Sequence, residues 1–70
     1  MKSGNDNALS FAEQGLEAMG ASFPSKEIYG IMNIRDTLLQ YPSSARSDTV
    51  LGDIERCEAI VRRARELGII

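Results

Sequence analysis

One run of apolar residues constrains this chain more than any other feature. Val50, Ile54, Cys57, Val61 and Ala64 recur at steps of three and four residues. At about 100° per residue, that spacing keeps all five within about 40° of a single line, with Leu51, Ile60 and Leu67 on its flanks. A strand turns alternate side chains to opposite faces and would scatter the same set over both. The spacing therefore predicts an amphipathic helix that starts between Ser44 and Asp48 and spans about 46–67. Asp48 suits the positive end of the helix dipole, and Arg62, Arg63 and Arg65 suit the negative end. Glu58 stands four residues before Arg62, the favourable order for a helical ion pair. Gly68 is the natural stop.

An oily stripe must be buried on something, and two further segments supply partners for it. Ile28, Ile31, Met32, Ile34, Leu38 and Leu39 predict a second helix over 25–40. Ser25 or Ser22 is available to cap it. Pro42 ends it by disfavouring helical angles at Tyr41, and Pro42-Ser43-Ser44 reads as a turn. Leu9, Ala12, Leu16 and Met19 predict a shorter helix over 7–19, started by Asp6 or Asn7 or at the Ser10–Glu13 capping box, and stopped by Gly20. It is the weakest of the three. Gly15 costs about 1 kcal/mol relative to Ala, and Glu13 and Glu17 repel one another at i, i+4. Residues 1–6 are polar and expected to be flexible. No segment alternates with period two between turn signals, so no strand is expected. The fold class is all-α: one small three-helix domain over 7–70, a long antiparallel hairpin of the second and third helices crossed by a shorter first one.

Composition narrows the chemistry. The 70 residues include no His, no Trp and one Cys, and 8 basic against 10 acidic residues leave a net charge of −2. Without His there is no imidazole base, no Ser-His or Cys-His pair and no His metal ligand. One Cys makes neither an internal disulfide nor a Cys-rich zinc site. No phosphate-cradling glycine loop, EF-hand loop or zinc motif is present, so no catalytic residue, cofactor or metal is expected. No apolar run approaches the roughly 18–20 residues of a membrane span, and the polar start is no secretory signal, so a cytoplasmic location is expected. A chain this short buries little core, which favours a well-packed bundle, an oligomer or a permanent partner.

The second helix carries the functional expectation. Its apolar residues cover an arc of about 160°, wider than the roughly 100° stripe of a simple surface helix. The width serves either two neighbours in the same chain or one neighbour and another protein, and the second reading selects the flank Ile31, Ile34 and Leu38. Arg35 falls on the centre line of the same arc. It either snorkels to solvent or pairs with a carboxylate of another helix, or it belongs to a protein–protein interface, where Arg is enriched. Ile69 and Ile70 either fold back on the hairpin or dock into a partner as an apolar tail. Cys57, on the apolar line of the third helix, reads as a buried thiol.

The expected function is that of a non-enzymatic interaction module (an adaptor, small chaperone or inhibitor). It would pack an apolar helical surface made of Ile31, Ile34, Arg35 and Leu38, with Ile69 and Ile70 secondary, against a protein partner or a second copy. Nucleic acid is not the expected ligand. Arg62-Arg63-Ala64-Arg65 is a short basic cluster, but over 46–66 the five arginines are balanced by Asp48, Asp53, Glu55, Glu58 and Glu66. A small dimeric DNA-binding regulator with Arg62, Arg63 and Arg65 on phosphates is the runner-up. An acyl carrier protein is excluded, since it needs Asp-Ser-Leu at a helix start where Ser47-Asp48-Thr49-Val50 has another order. The hairpin with its Pro-Ser turn is similar in architecture, without a shared motif, to small subunits and co-chaperones of bacterial export needles. That similarity implies a subunit or co-chaperone of an export apparatus as a third reading.

Overall fold

Ser47 opens the best-marked helix. Its side chain accepts a hydrogen bond of 3.3 Å from the Val50 amide, and α3 runs from Asp48 to Glu66. The computed structural model describes residues 5–70. Two more helices precede α3: α1, Asp6–Met19, and α2, Ser25–Leu39. Short 3-10 turns at Gly20–Ser22 and Ser43–Ala45 connect them. No strand occurs among the described residues, so the all-α, three-helix class stands. Helices α2 and α3 pack most closely, and α1 packs on both.

The helix ends follow their local chemistry. Gly20 takes φ +56° after α1 and Gly68 takes φ +79° after α3, the left-handed backbone that only glycine adopts without penalty. At Gly68 the closure is a full Schellman motif. The Gly68 amide donates to the Arg65 carbonyl at 3.1 Å, and the Ile69 amide donates to the Ala64 carbonyl at 2.9 Å. This reversal throws Ile69 back onto the core, where it and Ile70 pack half-buried. Two capping expectations fail. Ser25 is the first residue of α2 rather than its cap, because Pro24 already holds the extended angles that precede a helix. Asp6 is not part of a loose terminus: it lies in α1 and turns its carboxylate to α3. Asn5 precedes the helix and accepts a hydrogen bond from the Leu9 amide at 3.0 Å, and the rest of the segment expected to be flexible, residues 1–4, lies outside the described residues.

The core is one cluster drawn from all three helices and the first connection: Leu9, Ala12 and Leu16; Phe23; Ile28 and Ile31; Cys57, Ile60, Val61 and Ala64. Gly15, which costs helix propensity, has a structural purpose. The Phe23 ring lies against it so closely that a Cβ there would come within 2.6 Å of Cδ1 and nearer still to Cε1. Phe11 also meets Phe23, its ring tilted by 51° with the centroids 5.8 Å apart. The connection is thus pegged into α1 by an aromatic ring that needs a missing side chain opposite it.

Arg56 fastens α1 to α3. Its guanidinium donates to both Glu13 carboxylate oxygens, at 2.6 and 3.0 Å, to Asp6 Oδ1 at 2.8 Å and to Ser10 Oγ at 3.2 Å. The bidentate fork on Glu13 is the geometry for which guanidinium and carboxylate are matched. These bonds hold the Arg56 proton more firmly than usual, the Glu13 bonds foremost.

Candidate interaction surface

The direction of α1 decides which part of the hairpin lacks a third helix. Asp6 meets Arg56, while Leu16 and Glu17 share a cleft with Ala59, Ile60 and Arg63 further along α3. Helix α1 therefore runs alongside α3 in the same sense, with Arg56 spanning its first two turns from Asp6 to Glu13. Helix α2 runs the other way, with Arg35 beside Glu58, Val61, Arg62 and Arg65. The last turn of α2, the Tyr41–Ser47 turn and the first turns of α3 project past the start of α1 as a two-helix tip.

Two helices cannot enclose their apolar residues as three can. At the tip, Leu38 and Ile54 are buried but stand apart from the main core cluster. Leu39, Tyr41 and Leu51 are 42%, 48% and 45% exposed, and Val50 is half-buried. The turn itself is pinned. Arg46 donates from Nη2 to the Leu39 carbonyl and from Nε to the Tyr41 carbonyl, both at 3.1 Å, satisfying carbonyls that the end of α2 would leave open. Phe11, Met19 and Tyr29 are the other exposed large apolar residues among the described residues. They lie away from the tip, on α1 and on the first half of α2.

The surface expected on the second helix differs from the one present. Ile31 is buried in the three-helix core and Ile34 packs half-buried against it, while Leu38 is buried apart from that core, at the tip. The wide arc of α2 is filled by its two neighbours over most of its length. Of the residues in that arc, Leu39 is exposed. Ile69 and Ile70 fold back on the core and leave no free tail. Arg35 does not pair with a carboxylate of another helix among the described residues. It reaches Asp36 beside it at 3.5 Å, and its Nε is buried without a hydrogen-bond partner. Arg46, Tyr41 and Leu51, which frame the tip, were missed. Their only signal was position, in and beside a Pro-Ser turn longer than a tight hairpin needs.

Two clefts flank α3. The larger, about 290 Å³, has an apolar floor of Leu16, Ala59 and Ile60 under a rim of Glu13, Glu17 and Arg63. The smaller, about 220 Å³, is bordered by Arg35, Glu58, Val61, Arg62 and Arg65. Cys57 is fully buried, and burial pushes its thiol up to about 11, with Asp53 adding to the shift. A thiol held neutral in this way is a packing group rather than a nucleophile. No group of three His, Cys, Asp or Glu among the described residues could hold a metal ion, and no helix in that range is long and apolar enough to cross a membrane. Set against protein-family models, curated proteins and solved structures, the chain has no match.

Proposed function

We propose that this chain is a non-enzymatic interaction module whose two-helix tip receives an apolar helix of a partner protein. One observation carries the reading: Leu39, Tyr41 and Leu51 are each exposed on the last turn of α2, the following turn and the first turn of α3, which form the end of the hairpin past the start of α1. A helix laid there would occupy the place that α1 occupies further along, burying its own apolar stripe and the tip residues at once. Tyr41 supplies a large contact area at low entropic cost. The tip is small, so it serves as the anchor of a contact that extends onto neighbouring surface rather than as a whole interface.

The test compares tagged wild-type chain with the double variant Leu39→Glu/Leu51→Glu and with a control, Asn33→Glu, on an exposed part of α2. A partner retained by wild type and by the control, and lost by a tip variant whose thermal unfolding is unchanged, supports the proposal. The same partners held by a folded tip variant would overturn it. Sedimentation across a concentration series separates a second copy from a different protein as occupant.

A further inference from the structure

We infer that the cleft between α2 and α3 bordered by Arg35, Arg62 and Arg65 is a binding site for a phosphate group, of the kind carried by a small phosphate monoester. The sequence groups Arg62, Arg63 and Arg65 as one basic cluster, but the structure divides it. Arg63 turns toward the α1 side, lines the other cleft and pairs with Glu66 at 3.4 Å. Arg62 and Arg65 turn instead to the α2 side, where Arg35 meets them. The three guanidinium groups thus come from two helices and share one concavity of about 220 Å³.

Their charges are not spent inside the protein. Arg56 is engaged by Glu13 and Asp6, and Arg46 by two carbonyls. Arg62 and Arg65, by contrast, have no carboxylate within 4.0 Å among the described residues, not even Glu58 one turn before Arg62. Arg35 touches only the exposed Asp36 at the outer distance of 3.5 Å, and its buried Nε has no acceptor. Like charges gathered in one recess repel, and a buried charged donor calls for an acceptor. Three arginines less Glu58 and the Asp36 that touches Arg35 leave the recess with a net positive charge of about +1, which favours an anion such as a phosphate group. The lining has no aromatic ring on which a base could stack, and Val61 is its single apolar residue. That favours a small phosphate compound over a nucleotide or single strand. A duplex fits less well, because it needs a row of cations along a face and the chain as a whole is acidic.

Arginine side-chain NMR with inorganic phosphate as the probe, at low and constant ionic strength, tests this. Saturable shifts are expected at Arg35, Arg62 and Arg65 with Kd on the order of 1 mM, while Arg56 and Arg63 stay still. Arg62→Gln and Arg65→Gln, both at exposed positions, should each weaken binding about tenfold, and Arg63→Gln should leave it unchanged. Phosphoserine as a second probe should bind at least as well as the free ion. No saturation, or equal weakening by Arg63→Gln, overturns the assignment. So does a random duplex that binds more tightly than either probe and depends on all three C-terminal arginines alike.

Discussion

Replacing Gly15 with Ala sets two physical effects of opposite sign against each other. Gly15 lies in the interior of α1, where Ala is favoured by about 1 kcal/mol. On propensity alone, Gly15→Ala stabilises the protein. The structure predicts the reverse. The new methyl would stand 2.6 Å from Phe23 Cδ1 and 3.2 Å from Cζ, where carbon atoms prefer about 3.5–4.0 Å. The ring would have to retreat by about 1.5 Å, and Phe23 is buried in the core with Phe11 against it. Overpacking of this kind costs about 1–3 kcal/mol, and expelling the ring outright would forfeit about 1.5–3 kcal/mol of burial. Set against the propensity gain of about 1 kcal/mol, the net expectation is a loss of up to about 2 kcal/mol. In a domain of this size that is a fall in melting temperature of up to roughly 15 °C. Gly30 and Gly52 are internal controls, since a methyl at either position meets nothing within 4 Å. Gly30→Ala and Gly52→Ala should each raise the melting temperature. The measurement is thermal and urea unfolding by circular dichroism on all three variants and on Gly15→Ala combined with Phe23→Ala. In the double variant the clash is gone, so adding Ala at position 15 should become stabilising. A Gly15→Ala protein that gains stability alongside Gly30→Ala would refute the packing argument.

Other expectations follow from the clamp, the buried thiol and the cap. Arg56→Met should cost about 1–3 kcal/mol at low salt and less at high salt, because it releases two carboxylates at a partly exposed site. Urea titrations at two ionic strengths check this, and a salt-independent loss would count against the clamp. Raising the Cys57 thiol from 9.0 to about 11 means that the folded state favours the protonated form. Its contribution is complete below pH 9 and is lost as pH rises through 11, amounting to about 2–3 kcal/mol. Cys57→Ala should lack that part of the alkaline slope when the two unfolding curves are compared, and identical slopes would contradict it. Ser47→Ala should cost about 1 kcal/mol through the lost cap of α3, with Ser47→Asp restoring it in the same unfolding assay.

The course of the fold was legible because helix periodicity and stop signals are local. The apolar line from Val50 to Ala64, the Pro24 and Pro42 breaks and the left-handed glycines at 20 and 68 fix three helices with ends within a residue or two of those observed. What could not be read was the side on which α1 lies. That choice decides whether Ile31 and Ile34 face solvent or a neighbour, and periodicity is silent about it. The clamp was hidden for a related reason: Arg56 and Glu13 are 43 residues apart, and each looks like an ordinary helix-surface charge. Gly15 read as a defect because propensity is a property of one helix, whereas its value lies in a contact with Phe23. The division of the basic cluster follows from residue spacing. Arg62 and Arg65 are three apart and share a face, while Arg63 is turned about 100° from Arg62.

Arg46 has a consequence for kinetics. By tying the Leu39 and Tyr41 carbonyls to the turn, it fixes the backbone that carries two of the three exposed tip residues before anything arrives. A surface already in its bound shape loses little chain freedom on capture, so encounters convert to complexes without a slow rearrangement. Cutting that tie should slow association before it weakens the final grip.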